Sequence, residues 1–270
     1  MSVALELLNR DRILAELPDV ACNRLSRLEV YPTLDSTNAY LLEGARAGWP
    51  SGAVCLAERQ TAGRGRQGRN WVTPFGAGLA FSLLWRFEVS PEALGGLSLV
   101  TGIAVARALQ NLGVLEVGLK WPNDIWWHER KLGGILLESG GTARMFYVVA
   151  GIGLNVALPD PDAALIDQPW VDLREILGAV PVDRNRLAAA LIGDLIGAFC
   201  RFQESGFAGF TEEWVRFDRV RGRRVHLQLP NTTVAGIARG VDATGALLLE
   251  TEDGRLSSYL GGEIGLRVGS

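Results

Sequence analysis

Glu58-Arg-Gln-Thr-Ala-Gly-Arg-Gly-Arg-Gln-Gly-Arg-Asn-Trp71 interleaves three glycines, Gly63, Gly65 and Gly68, with three arginines, Arg64, Arg66 and Arg69. Glycine reaches φ > 0 and lets backbone N–H groups approach a ligand, while arginine supplies a permanently charged fork for phosphate or carboxylate. No Asp or Glu occurs from Arg59 through Phe87, so nothing nearby in sequence neutralises these arginines. The segment therefore predicts an external anion as its partner and a mobile loop that orders when that partner arrives. Ala53 to Ala57 before it and Gly78 to Phe87 after it are apolar runs of strand length, so the loop is strung between two strands.

Toward the N-terminus, Leu28 to Leu34 reads as a strand, and Asp35-Ser36-Thr37-Asn38 offers four successive capping side chains for a helix over Ala39 to Ala47. A helix N-terminus also receives polar or anionic ligands, so the quartet reads both as a cap and as a candidate site. Leu5, Leu8, Ile13, Leu14 and Leu17 predict an amphipathic lead-in helix over 3 to 17, stopped by Pro18. Toward the C-terminus, Ser90-Pro91 predicts a long helix carrying Leu94, Leu97, Ala104, Ala108 and Leu112, closed by Gly113. Val117 to Trp121 reads as a strand entering the turn Pro122-Asn123-Asp124. Ile125 to Trp127 and Leu132 to Glu138 then form a hairpin with Lys131 at its mouth. Arg144 to Val156 is a further strand, broken by Asn155, a polar residue that needs a partner if buried. A loop rich in Pro and Asp runs from Pro159 to Trp170. Asp183 caps a helix with Leu187, Leu191, Leu195, Phe199 and Phe202 on one face, ended by Gly206, and a shorter helix follows around Thr211 to Phe217. From Gly222 the pattern alternates at Val225, Leu227 and Leu229. That change predicts a boundary near residue 220, with a large unit 1–220, the lead-in helix within 1–20, and a small all-β unit 221–270.

The 270 residues, 48% of them hydrophobic, suffice for one large and one small core. A formal net charge of −3 and a pI of about 5.6 argue against a general binder of nucleic acid or anionic membrane, so the positive charge is local. No stretch resembles a signal peptide or a membrane span, which predicts a cytoplasmic protein. Cys22, Cys55 and Cys200 are odd in number and widely spaced, as reduced core thiols would be.

Four polar clusters fall at strand ends: Asp35 to Asn38, Gln60 to Trp71, Lys120 to Asp124, and Lys131 to Gly134. Arginine, lysine and glycine N–H groups with a nearby Asp suit nucleotidyl transfer, in which positive charge and a carboxylate-held Mg²⁺ stabilise the α-phosphate and the departing pyrophosphate. His128 and His226, the only histidines, are read as solvated or structural. The Walker, dinucleotide and serine-hydrolase templates are absent. Taken singly, the clusters have plainer readings: an RNA-contacting Arg/Gly loop, a turn at Pro122 to Asp124, a solvated lysine at 131 and a core pair at Trp126-Trp127. Their joint occurrence points to a site.

These motifs resemble those of the bacterial biotin protein ligases, the biotin-[acetyl-CoA-carboxylase] ligases. The resemblance runs from about Leu7 to the C-terminus and rests on Asp35-Ser-Thr-Asn38, Gln60 with Ala62-Gly-Arg-Gly-Arg66 through Trp71, Lys120-Trp-Pro-Asn-Asp124, Lys131-Leu-Gly-Gly-Ile-Leu136 and Gly151-Ile-Gly-Leu-Asn155. It implies an α+β catalytic domain like that of class II aminoacyl-tRNA synthetases and lipoate ligases, a mixed sheet with flanking helices, followed by a small Src-homology-like β-barrel. It also implies two steps. Biotin and ATP give biotinyl-5′-AMP and pyrophosphate, and the biotinyl group then passes to a lysine of the biotin carboxyl carrier protein of acetyl-CoA carboxylase.

Carried over residue by residue, the resemblance implies that Ser36, Thr37, Asn38, Gln60, Arg64, Gly65, Arg66 and Lys131 bind biotin, with Lys131 and Arg66 catalytic. Gly63, Arg64, Gly65, Arg66, Gln67, Gly68, Arg69 and Trp71 would form the loop over the adenylate. Lys120, Asn123, Asp124, Asn155 and Trp170 would serve ATP, with Asp124 holding Mg²⁺. Many relatives carry a further N-terminal helix-turn-helix repressor domain. This sequence begins where that domain would end, so the resemblance implies a ligase without repressor function and without a DNA or membrane partner. It is compatible with a homodimer. Two alternatives stay open: a lipoate or octanoate ligase of the same fold, and a non-catalytic biotin-sensing or nucleic-acid-binding module.

Overall fold

The structure, a computed structural model, describes residues 6–88, 90–142, 145–159, 168–178, 180–262 and 264–269. Its larger sheet contains β1 (Arg27–Leu34), β2 (Ala53–Gln60), β3 (Gly78–Phe87), β4 (Val117–Lys120), β5 (Asp124–Trp127), β6 (Arg130–Thr142) and β7 (Met145–Asn155). The order is β1-β2-β3-β7-β6-β5-β4; β1 and β2 pair in parallel and every other pair is antiparallel. The helices are α1 (Arg10–Ala15), α2 (Asp19–Cys22), α3 (Thr37–Arg46), α4 (Leu97–Asn111), α5 (Leu173–Leu177), α6 (Arg184–Ser205) and α7 (Thr211–Phe217).

Strand alternation divides the core. Val54, Leu56, Leu79, Phe81 and Leu83 face α4 and α6, whereas Ala53, Cys55, Leu84 and Val149 face Leu41, Leu42 and Ala45 of α3. With helices on both faces, β2 and β3 are buried on both sides, which is why they read as unbroken apolar runs. In α6, Asp183 Oδ1 accepts from the N–H groups of Asn185 and Arg186, and the helix stops at Gly206.

Two predicted helices are shorter than expected. The lead-in helix covers only Arg10–Ala15, capped by Asn9, and residues 3–5 of the predicted span lie outside the described residues. Residues 6–9 are instead held in place by a buried ion pair, Arg184 Nη1 to Glu58 Oε2 at 2.5 Å. Glu58 Oε1 accepts from Leu8 N–H, Arg184 donates to Glu6 O, and Asn185 bonds Leu7 O and Asn9 N–H. Tertiary partners thus replace helical bonds. The long helix expected from Pro91 is one 3₁₀ turn, Pro91–Leu94, followed by α4. Gly96 between them has φ 78°, a left-handed conformation that interrupts a right-handed helix, and a Cβ there would stand 2.5 Å from the Phe207 ring. Within the predicted loop 159–170, residues 160–167 lie outside the described residues, and α5 was not anticipated.

The second sheet is antiparallel: β8 (Arg224–Gln228), β9 (Thr233–Val241), β10 (Leu247–Glu250), β11 (Leu256–Tyr259) and β12 (Gly265–Val268), in the order β11-β10-β9-β8-β12. It packs against the first unit where Trp121 Nε1 donates to Gly245 O at 3.1 Å. Among the described residues, no helix is long and apolar enough to cross a membrane.

Candidate active site

The Arg/Gly segment is a small hairpin. Trp71 N–H donates to Gly63 O, Gly65 N–H to Arg69 O, and a 3₁₀ turn at Arg66–Gly68 carries Gln67 at φ 58°. Within the segment the chain recrosses itself at the Arg64–Asn70 bridge. The expected shortage of carboxylates is corrected. Arg64 reaches Glu138 Oε2 on β6 at 2.9 Å, a counter-charge distant in sequence. Arg66 donates through Nη1 to Asn123 Oδ1 at 2.9 Å and through Nη2 to the carbonyls of Gly261, Gly262 and Ile264. Burial lowers its pKa, opposed by Asp124 and assisted by Arg69.

Under the hairpin lies a cavity of about 1040 Å³ lined by every predicted site residue except Gly63, which forms the base of the hairpin. At one end Ser36, Thr37, Asn38, Gln60, Thr73 and Ser82 are neutral, and the Arg64–Glu138 ion pair borders them through Asn38. Thr37 N–H and Oγ1 donate to Gln60 Oε1 at 2.9 and 3.1 Å, and Gln60 Nε2 reaches Thr73 Oγ1 at 3.4 Å. Ser82 Oγ donates to Asn38 Oδ1 at 2.6 Å and lies 2.7 Å from Thr37 Oγ1. Ser36 caps α3, accepting from Ala39 N–H.

At the other end Asp124 is gripped on both oxygens, by Lys131 Nζ at 2.7 Å and Lys120 Nζ at 2.9 Å. Burial opposes its charge, but the two ammonium groups outweigh burial and hold its pKa below the usual carboxylate range. Lys131 lies within β6, not at the mouth of a turn, and stands over the Trp71 ring at 5.8 Å. Its backbone bridges Trp170, and Asn155 Nδ2 donates to Lys131 O and Val171 O, the partners its burial demanded. Both oxygens of Asp124 are thus engaged, and among the described residues no three His, Cys, Asp or Glu side chains cluster as a metal site. A Mg²⁺ at Asp124 would share that carboxylate with the two lysines and draw its remaining oxygens from nucleotide phosphates.

The glycines of Gly151-Ile-Gly153 also find a reason. A Cβ at Gly151 would lie 2.3 Å from Asn38 Oδ1, and one at Gly153 would lie 2.3 Å from Trp71. They let both side chains lie against β7.

A model described as the biotin/lipoate A/B protein ligase family matches residues 30–155, and one described as the biotin protein ligase C terminal domain matches 221–267. The chain is 43% identical over 265 residues to the bifunctional ligase/repressor BirA of Escherichia coli, covering 97% of this chain and 79% of that protein. The chain belongs to the biotin protein ligase family. It is also 38% identical over 235 residues to the biotin-[acetyl-CoA-carboxylase] ligase of Mycobacterium tuberculosis, covering 83% of each chain. Among solved structures, the biotin protein ligase from Aquifex aeolicus in complex with biotin and ATP aligns with a TM-score of 0.76 and 30% identity, over 91% of this chain and all of that one.

Several residues of this ligase site escaped the sequence reading. Ser82 left one signal, a lone hydroxyl inside the apolar run Leu79 to Leu84. Thr73 and Glu138 left none. Gln228 and Ile264 to Val268 of the second sheet also line the cavity, which no local pattern announced.

Proposed function

We infer that the protein is an ATP-dependent biotin protein ligase. It forms biotinyl-5′-AMP and pyrophosphate from biotin and ATP, then transfers the biotinyl group to a lysine of a carrier protein, the biotin carboxyl carrier of acetyl-CoA carboxylase. The observation that carries this reading is the division of one cavity into a neutral hydrogen-bonding end and a cationic end beneath one hairpin. A neutral polar bicyclic ring with a carboxylate tail suits the first, and nucleotide phosphates suit the second.

In the first step the biotin carboxylate attacks the α-phosphorus and pyrophosphate leaves. Lys131 offsets the repulsion between the two anions, held in position by Asp124, while Lys120, paired to the other oxygen of Asp124, serves the nucleotide. Ser36, Thr37, Asn38 and Gln60 take the ring and tail, with Arg64, Gly65 and Arg66 above them. Asn123, Asn155 and Trp170 serve the nucleotide side. The hairpin from Gly63 to Arg69, with Trp71, keeps water from the mixed anhydride until the carrier lysine attacks the acyl carbon and AMP leaves. Mg²⁺ enters as part of the ATP substrate. The same reading places the catalytic unit in 1–220, the small unit in 221–270 and the protein in the cytoplasm.

The deciding experiment is mass spectrometry of a carrier domain incubated with the protein, biotin and ATP. One biotinyl group on a single lysine is expected. Pyrophosphate release with lipoate or octanoate but not biotin would overturn the choice of acid.

A further inference from the structure

Glu138 joins the hairpin to the neutral end without lining the cavity. Its Oε2 accepts from Arg64 Nη2 at 2.9 Å and from Asn38 Nδ2 at 2.8 Å. Asn38 Nδ2 also donates to Leu136 O at 3.2 Å, and its Oδ1 accepts from Ser82 Oγ. A side-chain amide has two N–H donors and an oxygen with two lone pairs. Both donors of the buried Asn38 are therefore used, and one lone pair of Oδ1 is the capacity left for the cavity it lines. A flipped amide would set Oδ1 against a carboxylate and a carbonyl, so Glu138 dictates the orientation.

We propose that Glu138 is a positioning residue for acid recognition: one of its carboxylate oxygens holds the Asn38 amide as an acceptor toward the substrate and latches the hairpin to the same wall through Arg64. The proposal rests on the ligase reading, because the ureido ring of biotin carries N–H groups that such an acceptor can receive. The apolar tail of octanoate has none. Glu138 thus acts on the acid and on hairpin closure. It stays apart from the Asp124 end, where Lys120 and Lys131 have their own carboxylate.

The test follows pyrophosphate release in the unaltered protein, in Glu138→Ala and in the isosteric, uncharged Glu138→Gln, with biotin and ATP varied in turn. Glu138→Ala is expected to raise KM for biotin about tenfold, the equivalent of one charge-assisted hydrogen bond, and Glu138→Gln about threefold. KM for ATP should stay unchanged, and labelled adenylate should leave both variants faster. Should the alanine variant not fold, the glutamine variant decides alone. An unchanged biotin KM, or equal rises in both KM values, overturns the proposal. An unaltered protein that forms no adenylate from biotin and ATP overturns the ligase reading instead.

Discussion

At the Ser82 end of the cavity Thr37, Asn38, Gln60 and Ser82 are neutral and bonded to one another, with the Arg64–Glu138 ion pair bordering them through Asn38, whereas at the Asp124 end two ammonium groups share one carboxylate and the Arg66 guanidinium stands nearby. A neutral network can be buried without a charge penalty once its donors and acceptors are matched, and it leaves a few directed groups for a ligand. A cluster with more cations than anions has its charge matched only by a further anion, and it favours the states of a reaction in which negative charge builds up. One end is thus suited to selecting a shape and the other to stabilising charge. The hairpin spans both, with Arg64 tied toward the neutral side through Glu138 and Arg66 tied to Asn123 and to carbonyls between β11 and β12.

The sharpest way to break this comparison is Lys131→Ala. Adenylate formation is expected to fall by about 10²–10³-fold, the range for removing one group aimed at developing charge, with the circular dichroism spectrum unchanged. A loss of less than threefold in pyrophosphate release would remove the cationic end from the chemistry. Next comes Gly151→Ala, whose methyl group would meet Asn38 Oδ1 at 2.3 Å. Titrations should show KM for biotin rising about tenfold, near 1.4 kcal/mol, with KM for ATP unmoved. Equal changes in both constants would mean that the ends are not independent.

A smaller effect is expected from Arg66→Gly, which cuts the bonds to Asn123 and to the carbonyls of Gly261, Gly262 and Ile264. Adenylate should escape about fivefold faster, the equivalent of roughly one net hydrogen bond, and label lysines of a bystander protein. Labelling confined to the carrier would contradict the shielding role. The smallest effect concerns acid stability. Asp124 has a folded pKa below its unfolded value of about 3.9, so its contribution is complete above that value and is lost as pH falls through the folded pKa. Asp124→Asn should accordingly flatten the fall of Tm below about pH 4. An unchanged acid limb would show that the lysines do not stabilise the carboxylate.

Legibility followed the range of the interactions. β3 lies where its apolar run placed it, and the Asp183 cap and Gly206 stop delimit α6, because alternation, capping and left-handed glycine are properties of a few adjacent residues. At Gly95-Gly96 the helix is interrupted where Phe207, more than a hundred residues away, packs against Gly96, a neighbour that no local pattern announces. The same holds inside the site. The four polar clusters were readable as motifs, but their partners were not: Arg64 finds Glu138, and Arg66 finds carbonyls between β11 and β12.

The amino-acid order by itself determined the apolar strands, the capped helix α6, which residue types carry the chemistry and, through its motifs, the family, since these depend on local backbone preference and on side-chain kind. Only the folded arrangement decided that Glu138 binds both Arg64 and Asn38, that Asp124 is held by two lysines, and that the second sheet completes the cavity wall. Electrostatic pairing and burial act through space, and the distances they depend on come into being only when the sheet brings remote segments together.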